Sequence, residues 1–414
     1  FLDQPAVFVF ADAHPYLDDP ATLRLLKEVA TGLPAGSTVM LAGATTGAPG
    51  DLGPLAQTWR LRPPDRDELR ELIARTLRDL DARGFRMAIR PQDLDSMVET
   101  LGGLSAREAE RLIQRIALED GQIDGADLAR LRVAKAELLG DDGVLELVES
   151  DVGTLDEVGG FEHLKEWIAV RRAAMDSGGA ELGLAPPRGI LLTGIPGCGK
   201  SLVAKTLART SGVPLVLLDP ARIYGKYLGE SEQRLERALE TADAMAPAVL
   251  WIDEIEKGFS GSGDHDGGAA RRVLGSFLRW MQERVSDVFL VATANDVTIL
   301  PPEFIRKGRF DEVFFVDLPD AEQRIAIVSI HLARRGIDIA DFDLEALASA
   351  TEGFSGAEIE TAIVSSLYRT VADGRPLEQS AVLAEVTAAV PLSVARAEEV
   401  ARLRLWAATR AVPA

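Results

Sequence analysis

Cysteine is nearly absent: Cys198 alone stands among 414 residues. That excludes an internal disulfide framework and a cysteine-rich metal site, and it fits a reducing compartment. Positive charge is also in deficit. Against 65 Asp and Glu there are 45 Lys and Arg, for a net charge of -20, which argues against sequence-independent binding to nucleic acid or anionic lipid. A local basic patch stays open. No apolar run reaches about 18 residues and no charged-then-apolar start is present, so neither a transmembrane helix nor a secretion signal is expected. The expected compartment is the cytosol, or the plastid stroma for an organelle protein. The chain opens on Phe1 inside what reads as a strand, so residues upstream of it are expected.

What is present suffices for two or three cores: 47% of residues are hydrophobic and 27% charged, and the length suits several domains. VFVFADAH (7–14) and STVMLAGATT (37–46) read as strands with a helical pattern between them. From Asp65 to Leu139 the apolar spacing turns helical, in three segments each opened by a capping residue or proline. Residues 140–160, rich in glycine and acids, read as a linker. Strands and helices then alternate to Leu318, which predicts a parallel sheet with crossover helices, and the chain is helical again from Asp320. GLSAREAERLI (103–113) and GFSGAEIETAI (353–363) match at an offset of 250 residues, and LAGATT (41–46) resembles VATAND (291–296). Chance recurrence of short helix starts is the ordinary explanation, but the shared order of features points to a duplicated module. The first copy lacks the chemistry of the second: Asp12-Ala13-His14 stands where the second has Asp253-Glu254.

That chemistry begins at the apolar strand Ile190 to Thr193, followed by GIPGCGKS (194–201) and a helical run. The pattern GxxxxGK[ST] in strand-loop-helix context is a phosphate-binding loop. Gly194, Pro196, Gly197, Cys198, Gly199 and Leu202 would enclose the phosphates, glycines being required because backbone N–H groups must approach closely. Lys200 would reach the β and γ phosphates and the Ser201 hydroxyl would ligate Mg²⁺. VLWIDEIEK (249–257) is a second apolar strand, ending in two acids. Asp253 would hold Mg²⁺ through water and Glu254 would take a proton from the attacking water or orient it. Paired acids after a strand usually begin a solvated loop; downstream of a phosphate loop the catalytic reading prevails. Asn295 closes a third strand, and its amide could bridge that water and the γ phosphate. Arg306 and Arg309, in PPEFIRKGRFDE, lie where they could face away from their own nucleotide.

The series VGGFEHLKEWI, GIPGCGKS, YLGESE, VLWIDEIEK, ATAND, RKGRFD and GFSGAEIE resembles the AAA ATPases throughout residues 151 to 370. FLRWMQE, LPPEFIRKGRFDEVFFVDLP and the tail VPLSVARAEEVARLRLWAATR are similar, more narrowly, to the uncharacterised AAA proteins of the chloroplast-open-reading-frame (ycf) series of plastids, cyanobacteria and other bacteria. The resemblance implies an α/β fold: a P-loop AAA module, with a parallel sheet flanked by helices over 161–319 and a helical lid with C-terminal helices over 320–414. A degenerate AAA-like α/β portion over 1–64 and a lid-like bundle over 65–139 would precede it. It further implies that Val158, Gly159, Ile327, His331, Gly356 and Ala357 enclose adenine and ribose. Arg306 matches an arginine finger and Arg309 its companion, so a hexameric ring is the expected homo-oligomer. Lys226, Tyr227 and Leu228 match a pore loop that grips polypeptide, and FSGSGDHDGGAA (259–270) a second one. Buried packing is the alternative reading of Tyr227. At a helix start beside Lys200 a thiol pKa tends to fall, so a redox role for Cys198 is the alternative to a small filler residue.

The expectation is Mg-dependent ATP hydrolysis by a ring that remodels or threads a protein client. An ATP-controlled assembly switch or scaffold is the alternative, and a nucleic-acid motor is disfavoured by charge.

Overall fold

The computed structural model describes residues 5–13, 16–17, 19–43, 52, 55–57, 59, 63–139, 143–148, 152–155, 158–177, 179–224, 230–259, 267–306 and 308–414. Lys226, Tyr227 and Leu228, the glycine-rich run 260–266, and His14 lie outside them. The chain divides into two units, 1–63 and 64–414.

In the first unit, strands β1 (Val7–Ala11) and β2 (Thr38–Ala42) pair in parallel from Val7↔Thr38 to Ala11↔Ala42. Helix α1 (Pro20–Gly32) connects them, as a parallel pair requires. It starts where Asp19 accepts hydrogen bonds from Ala21 N and Thr22 N, with proline in its first turn.

The second unit opens with α2 (Arg66–Ala82), β3 (Arg86–Ala88), α3 (Pro91–Leu101), α4 (Ala106–Asp120), β4 (Gln122–Asp124) and α5 (Asp127–Leu139). The bundle thus holds four helices where apolar spacing picks out three segments. Reciprocal capping pairs Asp65 with Glu68 and Ser105 with Glu108, fixing the starts of α2 and α4. Ile73, Met97, Leu101, Ile113 and Leu131 form its core. Lys135, on α5, is buried inside, and its ammonium donates to Gly102 O at 2.7 Å and Ala246 O at 2.9 Å. Those carbonyls end α3 and a helix of the following sheet domain, so one cation ties the bundle to that domain. Desolvation pushes its pKa down to about 7.

Next come β5 (Leu145–Leu147), α6 (Glu162–Asp176), β6 (Gly189–Gly194), α7 (Lys200–Ser211), β7 (Leu215–Leu218), α8 (Pro220–Ile223), α9 (Glu230–Met245), β8 (Ala248–Ile252), α10 (Ile255–Phe259), α11 (Gly267–Glu283), β9 (Val288–Ala294) and β10 (Glu312–Val316). Seven strands form one sheet in the order β11-β10-β6-β9-β8-β7-β5, where β11 is Val412–Pro413. Each neighbouring pair is parallel except β5 with β7. β5 falls within the stretch that reads as linker; it adds an antiparallel edge instead. The sheet is covered on both faces, because side chains alternate: Ile190 and Leu192 enter one core with Trp251 and Phe314, while Leu191 enters the other with Leu250, Phe277 and Phe304. Burying each such side chain contributes about 1.5–3 kcal/mol.

The lid consists of α12 (Ala321–Ala333), α13 (Leu344–Ala350), α14 (Gly356–Ala372) and α15 (Gln379–Ala388), closed around Val328, Leu332, Leu347, Ile359, Ile363 and Val386. Ser355 and Glu358 cap α14 in the same reciprocal way as Ser105 and Glu108 cap α4, which gives the internal sequence match a common structural cause. Finally α16 (Leu392–Ala395) and α17 (Ala397–Ala407) lead back to β11 at the sheet edge. Among the described residues no single helix is long and apolar enough to cross a membrane.

Candidate active site

In a doubly wound sheet, ligands sit beyond the carboxyl ends of adjacent strands where connections part to opposite faces. Here β6, β9 and β8 are neighbours, and their ends deliver the phosphate loop, Asn295 and the Asp253-Glu254 pair to a cavity of about 760 Å³. Every loop residue from Pro196 to Leu202 lines it, as do Val158, Gly159, Ile327, His331, Gly356 and Ala357. Gly194 does not; it turns the chain beneath the loop. Its φ is 137°, and a Cβ there would come within 2.1 Å of Val316 O, so only glycine fits.

Helix α7 begins inside the cavity at Gly199, with no side chain capping it. Its first N–H groups have no intrahelical acceptor, and the helix dipole adds partial positive charge there. Lys200 is buried, and its ammonium donates to Gly194 O and Ile195 O, both at 2.9 Å. Burial outweighs the attraction of nearby Cys198, Glu256, Asp253 and Glu254 and lowers its pKa to about 8. A desolvated cation beside uncapped amides is a receptor for a polyphosphate. At Cys198 burial exceeds the pull of Lys200 and pushes the thiol up to about 12. That direction disfavours the reactive thiolate and fits a small filler residue.

Ser201 Oγ donates to Asp253 Oδ1 at 2.9 Å, and Thr293 Oγ1 donates to the same oxygen at 2.6 Å. A hydroxyl and a carboxylate brought together in this way make a hard-oxygen pair of the kind Mg²⁺ takes. Thr293 also accepts from Glu254 N at 2.9 Å. Glu254 sits at φ 50°, which is uncommon for a residue with a side chain. Its Oε1 accepts from Asn295 Nδ2 at 2.6 Å, and its other oxygen pairs with Lys257, one turn along α10. Asn295 N in turn donates to Glu256 Oε1 at 2.9 Å. Burial raises the pKa of Glu256 against those backbone hydrogen bonds.

At the opposite end the lid closes on the loop: Ala357 N donates to Gly197 O at 3.0 Å. His331 Nδ1 lies 3.3 Å from Glu360 Oε1, and burial, opposed by Glu360, lowers its pKa and favours the neutral ring. Arg306 is exposed and Arg309 half-buried, and neither lines the cavity. Arg309 Nη1 donates to Glu303 O at 2.5 Å, which anchors it to its own segment.

Several cavity residues escape a sequence reading. Thr293 precedes Asn295 by two and could have been found from the period of the strand. Asp317 and Pro413 also line the cavity but carry no local signal.

Comparison with known proteins agrees with this geometry. Residues 190–318 match the ATPase family associated with various cellular activities (AAA), 341–382 the AAA+ lid domain, and 67–142 the second domain of SpoVK-like AAA ATPases. The uncharacterised AAA domain-containing protein ycf46 of Guillardia theta is 34% identical over 409 residues, 98% of this chain and 80% of that protein. The ycf46 protein of Trieres chinensis is 34% identical over 412 residues, 98% of this chain and 81% of that protein. A proteasome-activating nucleotidase of Saccharolobus solfataricus is 31% identical over 239 residues, 56% of this chain and 61% of that protein. A phosphate loop, paired strand-end acids and a helical lid on a five-strand parallel core, with relatives alike over nearly the whole chain, make this an ATPase of the AAA family, in its ycf46 group.

Proposed function

We propose that the chain binds Mg·ATP in this cavity as one subunit of a ring, most simply a hexamer, and that hydrolysis there drives remodelling or threading of a protein client. The observation that carries the hydrolytic part is the convergence of Lys200, the Ser201–Asp253 pair and the Glu254–Asn295 pair on one cavity. The amides of α7 and the Lys200 ammonium hold the phosphates. Ser201 and Asp253 would hold magnesium, which would supply charge neutralisation at the phosphate oxygens. Glu254 takes the proton of the attacking water, and Asn295 fixes that carboxylate and the water. The cavity ends near Val158, Gly159, Ile327, His331, Gly356 and Ala357 receive adenine and ribose.

The exposure of Arg306 supports a role in the neighbour's site, with Arg309 steadying the segment. A guanidinium supplied in trans can contribute about 10³ to 10⁵ in rate. Residues 1–64 and 65–139 read as a degenerate second module and its lid, 140–160 as the connection, and 161–319 and 320–414 as the working module; the capping boxes shared by α4 and α14 support this. Lys226, Tyr227 and Leu228 are the candidates to grip a client, and the likeness to a nucleotidase named for activating the proteasome fits work on polypeptide. The cytosol is the proposed compartment.

Glu254→Gln is expected to keep ATP binding and lose turnover; normal hydrolysis by that variant would remove Glu254 from the mechanism. Mixed assemblies of Arg306→Ala with Glu254→Gln should recover activity if the arginine acts in trans, and no recovery refutes the trans assignment. Tyr227→Ala should keep ATPase activity and lose work on the client. Undiminished client work would leave the assembly-switch reading.

A further inference from the structure

The last helix returns to the site. On α17, Arg402 and Arg404 are two residues apart, which sends their side chains to roughly opposite sides, about 200° around the axis. Arg402 Nη2 meets Asp296 Oδ2 at 2.7 Å, just past β9. Arg404 grips Asp317, just past β10, through Nε at 3.0 and 2.9 Å and Nη2 at 2.9 Å. β9 and β10 are the strands that flank β6, and β6 runs into the phosphate loop. One helix therefore braces the strand ends on both sides of that loop. Beyond it, Val412 and Pro413 pair with Phe314 and Phe315, so the tail lies against the cavity.

Asp296 is the residue after Asn295. Its carboxylate accepts from Thr298 N at 2.9 Å and from the Thr298 hydroxyl, closing the turn that leaves β9. Glu256 holds the same turn from inside through Asn295 N at 2.9 Å. The Asn295 amide that contacts Glu254 is thus set by an internal acid and, through Asp296, by a cation that belongs to the C-terminal helix. Desolvation of Asp296 opposes its charge, but hydrogen bonds from Thr298 and the guanidinium of Arg402 prevail and keep it ionised.

We propose that Arg402 is a positioning residue for ATP hydrolysis: by holding Asp296 it keeps Asn295 aligned on Glu254, so the seating of α17 sets the turnover rate. The inference rests on the roles assigned above to Glu254 and Asn295. Arg402 touches no reacting group, and a change there alters the rate while leaving nucleotide binding intact. The ion pair is partly exposed, with side chains 55% and 23% accessible, so its effect is modest and sensitive to salt.

The test uses the full chain and measures kcat, KM for Mg·ATP and equilibrium ADP affinity for wild type, Arg402→Ala, Arg402→Lys and Glu254→Gln at low and high ionic strength. Arg402→Ala should lower kcat roughly two- to fivefold with KM and ADP affinity within about twofold. Arg402→Lys, which can still pair with Asp296, should stay within about twofold of wild type. Rising salt should bring wild-type kcat toward the Ala value while the Ala variant itself hardly responds. Wild-type kcat in a folded Arg402→Ala chain, or a loss appearing in KM instead of kcat, overturns the proposal. If Arg402→Ala does not fold, Asp296→Asn serves instead, because it retains an acceptor for Thr298 and removes the ion pair; the same outcomes apply. Turnover by Glu254→Gln would bring down the site reading and this inference with it, whereas an inactive Glu254→Gln beside a fully active Arg402→Ala would overturn this inference alone.

Discussion

Lys200 makes nucleotide binding a proton-linked event. In the free protein burial lowers its pKa to about 8 from an ordinary value of 10.5, so the ammonium is mostly charged at pH 7 and mostly neutral at pH 9. A triphosphate in the cavity supplies the negative charge that the desolvated ammonium lacks and raises its pKa again. The sign follows. Only the protonated form binds well, so affinity is flat below pH 8 and falls above it, until the bound-state pKa is passed. At pH 9 about one chain in ten carries the proton beforehand, so the dissociation constant should be about tenfold weaker than at pH 7, some 1.4 kcal/mol. Titration calorimetry in buffers of different ionisation enthalpy should detect uptake of close to one proton per nucleotide at pH 9 and about 0.1 at pH 7. Lys200→Arg, charged throughout, should show weaker but pH-independent binding. An affinity unchanged from pH 7 to 9, with no proton uptake, would show that Lys200 stays protonated in the free protein.

Gly194→Ala should unfold the phosphate loop, because its Cβ would lie 2.1 Å from Val316 O at a φ of 137°. A cost of about 3 kcal/mol or more is expected, read as a fall in thermal midpoint, and an unchanged midpoint would contradict it. Lys135, lowered to about 7 from 10.5, is neutral in the fold over a range where the unfolded chain is still protonated. Stability should therefore rise with pH between about 7 and 10, and Lys135→Met should remove up to about 1.4 kcal/mol per pH unit of that slope, as measured by denaturant unfolding. Lys200 adds the same sign above about pH 8, so the comparison is between slopes, and equal slopes would show Lys135 to be hydrated. Thiol alkylation at pH 8 should leave Cys198 intact in the folded chain, its pKa having been pushed up to about 12; rapid labelling would reverse that conclusion.

The parts of the site that sequence reveals are those built from local spacing. The loop from Gly194 to Ser201 must follow a strand and open a helix, so its pattern carries its own context. The serine–glutamate capping boxes at Ser105 and Ser355 are likewise confined to four residues each. What stays hidden is assembled over long separations. Arg402 and Asp296 are 106 residues apart, and Arg404 and Asp317 are 87 apart; nothing in the tail betrays either partner. β5 and β11 contain three and two residues, too short for alternation to register, so β5 reads as linker until β7 is beside it. Cys198 shows another limit: a helix start and a neighbouring lysine suggest a reactive thiol, yet burial tips the balance the other way.

Magnesium-dependent ATP binding and hydrolysis at the phosphate loop can be measured with labelled ATP, with and without magnesium, titrated against wild type, Asp253→Ala and Glu254→Gln and followed by a single-turnover quench. Saturable magnesium-dependent uptake by wild type and Glu254→Gln, with phosphate released by wild type alone and uptake weakened in Asp253→Ala, is the predicted result. Wild-type protein that takes up no nucleotide in the presence of magnesium would contradict it.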